Sequence, residues 1–288
     1  VTTLVLDGGL STHLEKLGAD LSDDLWSARL LLERPELIRQ AHADYFAAGA
    51  DVATTASYQA TIQGFMRRGL GAAEAESLIR LSVKLAGQAR DEAGRGLVAA
   101  SVGPYGAFLA NGAEYTGDYD LDEDDLYAWH LPRWEILASA GADLLACETI
   151  PSYPEARVLA RLLRHTPEVK AWVSFSCRDG ERLNDGTPIR EAAALFAGNP
   201  KVVAVGANCT APRHIPSLIA CLSGGLPVVV YPNSGETWDA GHRRWLGLAD
   251  PLEFGQAAKE WQQAGASLIG GCCRTTPEHI TQIRAHLS

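Results

Sequence analysis

The chain has 288 residues, 47% of them hydrophobic, and a net charge of −10 with a pI near 5.3. That is ample material for a large core and the wrong sign for a polyanionic partner such as nucleic acid. It opens Val1-Thr-Thr-Leu-Val-Leu-Asp7 with neither a basic leader nor an apolar run of bilayer length, so the expectation is a cytoplasmic protein working on small molecules without a membrane partner, as a monomer or small homo-oligomer.

In chain order, short β-branched or apolar runs alternate with longer amphipathic stretches, the pattern of parallel strands joined by helices. The predicted strands are Leu4–Asp7, Asp51–Ala56, Leu97–Val102, Asp143–Cys147, Trp172–Ser176, Val202–Ala207, Pro227–Tyr231 and Ser267–Gly270. The helical patterns between them are Pro35–Ala47, Ala73–Ala93, Glu123–Ala140, Pro154–Leu163, Ile189–Phe196, Pro212–Leu222, Leu252–Ala264 and Pro277–Leu287. Pro35, Pro154 and Pro277 sit at first turns, and Gly49, Gly141 and Gly265 follow last turns, as helix boundaries favour.

Eight such units point to a single-domain (β/α)8 TIM-type barrel spanning 1–288, whose functional groups would gather at the C-terminal mouth of the strands. The alternative is an open doubly wound sheet, but no Gly-x-Gly-x-x-Gly turn follows the first strand. An internal echo supports repetition: Ala48-Gly-Ala-Asp-Val, Ala140-Gly-Ala-Asp-Leu and Ala264-Gly-Ala-Ser-Leu each close a helix and open a strand. Glu148 and Cys272 lie at the same offset from their glycines, so both should emerge at the mouth. Two long connections, Gly103–Leu121 and Ser234–Asp250, also overhang it and read either as binding loops or as surface excursions.

Six cysteines stay reduced in a cytoplasmic setting, so burial competes with metal binding or catalysis. Cys209 ends the sixth strand, and Cys272 and Cys273 end the eighth after two glycines. Neighbours on an extended strand point to opposite faces, so both members of the pair serve one site only if the chain bends. Three thiols with an open fourth position suit a catalytic zinc; buried small hydrophobes are the bland reading. Cys147, Cys177 and Cys221 read as core or surface thiols, with Cys147 facing away from Glu148. The eight histidines show no pair at i and i+4, and most read as solvent-facing or capping.

Gly270-Gly-Cys-Cys, Asn208-Cys209, Leu6-Asp-Gly-Gly and Ala53-Thr-Thr-Ala-Ser-Tyr-Gln-Ala together resemble the zinc-dependent homocysteine S-methyltransferase family. Ser101-Val-Gly-Pro-Tyr-Gly, Cys147-Glu-Thr, Asn184-Asp-Gly-Thr-Pro and Tyr231-Pro-Asn-Ser-Gly-Glu fall in that family's order, so the resemblance covers the whole chain. It implies a (β/α)8 barrel with zinc on Cys209, Cys272 and Cys273, and methyl transfer to the sulfur of L-homocysteine to give methionine. The branch it is most similar to uses S-methylmethionine, with S-adenosylmethionine as a weaker donor. A selenocysteine or selenohomocysteine methyltransferase is a close variant, and a betaine-dependent enzyme is an alternative from a less similar branch. A non-catalytic zinc or thiol-sensing barrel is the alternative of another class, and its site would be closed by a fourth protein ligand.

By the same resemblance Asp7 and Glu148 bind the substrate ammonium, and the amides of Gly8 and Gly9 can approach its carboxylate closely. Asp7 also reads as part of a simple turn with a helix cap, whereas a carboxylate after Leu-Leu-Ala-Cys is awkward to bury unpaired. Asn208, Thr54, Ser57 and Asn233 are candidate polar contacts. Trp26, Tyr58, Tyr105 and Trp238 offer aromatic faces to a sulfonium donor, though each taken singly reads as packing before ligand.

Overall fold

The computed structural model describes residues 3–21, 27–166, 168–239, 244–246 and 250–287. Eight parallel strands make one sheet: β1 (Leu4–Val5), β2 (Val52–Thr54), β3 (Leu97–Val102), β4 (Leu144–Ile150), β5 (Ala171–Phe175), β6 (Val202–Asn208), β7 (Val228–Tyr231) and, after the antiparallel pair β8 (Thr237–Asp239) and β9 (Arg244–Leu246), β10 (Ala266–Ile269). The order is β1-β10-β7-β6-β5-β4-β3-β2, and its ends meet. Leu6 pairs in parallel with Val52, Asp51 N donates to Val5 O at 2.7 Å, and Asp7 N donates to Val52 O at 3.0 Å. Closure makes this the expected (β/α)8 barrel and rules out the open doubly wound sheet.

The helices are α1 (Leu10–Lys16), α2 (Ser27–Glu33), α3 (Pro35–Ala47), α4 (Ile62–Met66), α5 (Ala72–Ala93), α6 (Tyr105–Leu109), α7 (Glu123–Ala138), α8 (Tyr153–His165), α9 (Ile189–Ala194), α10 (Ile215–Leu222), α11 (Pro251–Ala264) and α12 (Pro277–Leu287). Their ends follow local chemistry. Asp122 caps α7 by accepting from the amides of Asp124 and Asp125, and Asp250 caps α11 through Leu252 N. Gly94 and Gly265 end α5 and α11 in the left-handed region. The α1, α2, α4 and α6 segments have too few turns to show a period in the sequence. Among the described residues no helix is long and apolar enough to cross a membrane.

Alternation along the strands divides the core in two. One set of side chains fills the barrel itself: Leu6, Val52, Ala99, Ala146, Trp172, Ala204, Val229, Tyr231 and Leu268. Trp172 occupies space that the alanines on β3, β4 and β6 leave, so large and small residues complement each other in a packed interior. The opposite faces pack outward against the helices, and Cys147 is buried there. Continuing the inward register of β4 through Leu144 and Ala146 brings Glu148 to the mouth, and the register of β6 from Ala204 brings Asn208 there.

Two histidines, His42 and His130, depart from the solvent-facing or capping expectation, whereas the buried His279 caps α12 by accepting from Thr276 N at 3.2 Å. His42 and His130 are fully buried and His279 nearly so. His130 reaches Glu155 at 2.7 Å, and this carboxylate also accepts from Tyr105 N at 2.7 Å and Tyr119 Oη at 2.9 Å. Arg133, also buried, donates to the carbonyls of Gly103 and Tyr58. Together these groups pin the base of the long 103–121 connection to the barrel wall.

Candidate metal centre and substrate cavity

β10 ends at Ile269, and the chain then turns sharply. Gly270 N donates to Val230 O, Gly271 N to Asp7 O, Cys272 N to Pro232 O and Ser234 N to Cys273 O. Thr275 closes the turn by donating from its hydroxyl to Cys272 O at 2.7 Å, while Arg274 sits in the left-handed region with φ 67°. This bend turns both adjacent cysteines to one side, as a shared site requires. Gly271 is obligatory, because a Cβ there would lie 2.3 Å from Thr275 Oγ1.

Cys209 enters from the end of β6 with φ 48°, and its Sγ is 3.5 Å from that of Cys273. The Sγ atoms of Cys209, Cys272 and Cys273 all lie within 4.8 Å of one another. Tetrahedral sulfur ligands at about 2.3 Å from zinc stand about 3.8 Å apart, so the cluster needs little adjustment to hold a metal ion. Hydrogen bonds from Cys209 and Cys272 hold Cys273 well below the ordinary thiol range, while those bonds and burial push Cys272 up. Cys209 is drawn down by Cys272 but raised further by Cys273 and burial. A buried cation would relieve this conflict.

Asp7 and Glu148 line the same cavity as the thiols. Asp7 accepts from Thr54 N at 2.7 Å and Thr54 Oγ1 at 3.0 Å, yet burial, followed by the charge of Glu148, pushes its carboxyl up to about 8. Glu148 accepts from the Ser101 hydroxyl, and burial raises it to about 7, against the pull of the Ser101 and Tyr231 hydroxyls. Two desolvated carboxyls facing one space form a receptor for a cation. Gly8 and Gly9 complete this wall. A Cβ on Gly9 would meet Cys272 O at 2.5 Å, and its amide is already committed to Thr275 Oγ1 at 3.0 Å.

Thr54 and Tyr58 also line the cavity, whereas Asn208, Ser57 and Asn233 stand outside its lining. Ser57 donates to Ser101 O at 2.7 Å and braces the β3 end. Asn208 is a strut. Its Oδ1 accepts from Thr149 N at 2.7 Å and Ser174 Oγ at 2.8 Å, and its Nδ2 donates to Thr149 Oγ1 at 2.8 Å. These bonds hold Thr149 at φ 61°, a strained conformation for a β-branched residue immediately after Glu148. The β4–β5 register shifts there.

Tyr105 packs among Phe108, Tyr119 and Trp129. Trp26 lies outside the described residues, as does the side chain of Trp238. Tyr115, Thr149 and Tyr231 line the cavity without having been singled out as site residues from the sequence. Tyr115 Oη lies 3.4 Å from Cys209 Sγ, a contact across 94 residues of chain.

Comparison with known proteins is consistent with this geometry. Residues 4–287 match the family model described as homocysteine S-methyltransferase. The chain is 51% identical to homocysteine S-methyltransferase YbgG of Bacillus subtilis (strain 168), covering 98% of this chain and 93% of the relative. It is also 51% identical to homocysteine S-methyltransferase of Escherichia coli (strain K12), covering 98% of this chain and 94% of that one. The crystal structure of the metallated form of the homocysteine methyltransferase MmuM from Escherichia coli superposes with a TM-score of 0.89 at 49% identity, covering 99% of this chain and 96% of that one.

Proposed function

The chain belongs to the homocysteine S-methyltransferase family and is an enzyme of that activity; we propose that it works with zinc on Cys209, Cys272 and Cys273 and takes its methyl group from S-methylmethionine, or less readily from S-adenosylmethionine. One observation carries this reading: three thiols within 4.8 Å of one another share a cavity with two buried carboxyls. A metal-binding thiol cluster and two buried carboxyls in one cavity suit an amino acid with a side-chain thiol, which offers sulfur at one end and an ammonium at the other.

Soft thiolate donors favour zinc over hard oxygen-seeking ions. When bound, zinc supplies the Lewis acidity that keeps a substrate thiol deprotonated at neutral pH. Asp7 and Glu148 receive the substrate ammonium, which compensates the burial that raises both carboxyls. Thr54 and Ser101 aim these carboxylates, and Asn208 fixes the backbone beside Glu148. Gly8, which also lines the cavity, offers its main chain to the substrate carboxylate, and its missing Cβ leaves room for Tyr45 and Thr275 to pack behind it. Tyr58 presents an aromatic face to a sulfonium methyl donor. No general base is required beyond loss of the thiol proton, and the protein's main contribution is to hold donor and acceptor in line.

A closed structural zinc site would need a fourth protein ligand, and among the described residues the cluster contains only the three cysteines. Initial rates of methionine formation from homocysteine with S-methylmethionine, S-adenosylmethionine and betaine test the donor. S-methylmethionine should be fastest. A preference for betaine would overturn the donor reading and leave the acceptor side standing.

A further inference from the structure

Asp7 and Glu148 match the ammonium of homocysteine, and the three thiols match a metal dication, but one anionic group near the cavity has no counterpart. Glu114 lies in a 3-10 turn, Ala113–Tyr115, within the long connection after β3, itself outside the cavity's lining but next to Tyr115, which is part of it. The residue is only 4% exposed, and its Oε2 has no hydrogen-bond partner. Among the described residues no lysine, arginine or histidine pairs with it. A buried carboxylate is normally paired or hydrogen-bonded on both oxygens, so this one lacks a cation.

The turn that carries it is firmly placed. Glu114 O accepts from Ser176 Oγ at 3.2 Å, and Ser176 Oγ in turn accepts from Asn184 Nδ2 at 2.9 Å. Gly106 packs so closely beneath it that a Cβ would lie 2.3 Å from Glu114 N. The next residue, Tyr115, contacts Cys209 Sγ and lines the cavity. Burial raises the Glu114 carboxyl, and the charge of Cys273 adds a smaller push in the same direction.

We propose that Glu114 is a specificity-determining residue that recognises the positive charge on the sulfonium sulfur of the methyl donor. This rests on the sulfonium-donor reading above. In the reaction the homocysteine sulfur, its proton lost to solvent, supplies the electron pair of the new S–CH3 bond. The old C–S bond breaks, and its pair remains on the donor sulfur, which becomes a neutral thioether. The charge that Glu114 recognises therefore disappears as the methyl leaves. Much of the positive charge is still on the donor in the transition state, so the attraction is felt by bound donor and transition state alike, lowering KM with little effect on kcat, and it lapses for the spent donor.

The test is Glu114→Gln, which preserves shape and removes charge. At saturating homocysteine, KM for S-methylmethionine is compared with the inhibition constant of methionine competing against it, since methionine has the same ammonium and carboxylate but no sulfonium charge. The expected result is a rise of about tenfold or more in KM for S-methylmethionine, with methionine inhibition, homocysteine KM, kcat and metal content all within about twofold. The melting temperature should equal or exceed that of wild type, because an unpaired buried carboxylate has been removed. Equal weakening of methionine and S-methylmethionine would assign Glu114 to the ammonium and overturn the proposal, as would an unchanged KM. Failure of wild-type protein to use either sulfonium compound would instead refute the donor reading, and this inference with it.

Discussion

Truncating Asn208 to alanine separates a strut from a substrate contact. Four hydrogen bonds are lost, two to Thr149, one to Ser174 and a long one from Nδ2 to Cys272 Sγ at 4.0 Å, and the buried Thr149 amide loses its acceptor. Ser174 keeps Tyr231 Oη at 2.6 Å, so the orphaned Thr149 amide is the main liability. The lost bonds and that amide together cost roughly 3–5 kcal/mol. Relaxation of Thr149 out of the left-handed region returns about 1–2 kcal/mol, leaving a net loss of about 1–4 kcal/mol. The same relaxation swings the peptide after Glu148 and misplaces its carboxylate. Urea unfolding followed by tryptophan fluorescence should show the stability loss, and homocysteine KM should rise about tenfold, equivalent to about 1.4 kcal/mol. KM for the methyl donor should remain within about twofold. A stability change below about 1 kcal/mol together with an unchanged homocysteine KM would refute the strut.

Further outcomes follow from other parts of the structure. Asp7 and Glu148 sit at about 8 and about 7 in the folded protein against ordinary values of 3.8 and 4.5, so the folded state retains protons that the unfolded chain has released. Ligand-free stability should therefore be highest below that window and fall as pH rises through it, which urea midpoints across the range would show, with a shallower slope in Asp7→Asn. Over the same range homocysteine KM should fall as the pair ionises to receive the ammonium; a flat profile would count against its role. Gly206→Ala would place a Cβ 1.6 Å from Val229 O and force β6 from β7, so soluble yield should collapse, whereas Gly71→Ala meets nothing within 4 Å and should melt near wild type. Glu155→Gln removes a buried charge shared by Tyr105 N, Tyr119 and His130, and should cost about 2–4 kcal/mol and open the 103–121 connection to limited proteolysis.

What the sequence showed and what it hid divide along physical lines. Strand β3 and helices α3 and α12 have their predicted limits, because β-branched runs and proline or glycine boundaries are local signals. Glu148 was legible because it ends a recognisable strand and period-two alternation fixes which way it points, whereas Cys209, Cys272 and Cys273 follow strand ends but converge only through the left-handed turn at Cys209 and the bend after β10. Asn208 was visible as a mouth residue, but its partners on β4 and β5 are set by barrel register, which no single segment carries. The left-handed conformation of Thr149 had no sequence cue, since threonine is a poor choice for it without Asn208. Tyr115 and Glu114 lie in a connection without periodicity, and only the closed barrel brings their turn over Cys209. His130 looked like a surface residue on α7 because its partner Glu155 begins another helix, and burial became acceptable only once the two met.

The zinc assignment is tested most directly by measuring metal content and methyl transfer in parallel for wild type, Cys209→Ala, Cys272→Ala and Cys273→Ala. Wild-type protein should carry roughly one zinc per chain, and each variant should lose both the metal and the activity while remaining folded. Any one of the three retaining full zinc together with full transfer would contradict the three-thiolate centre.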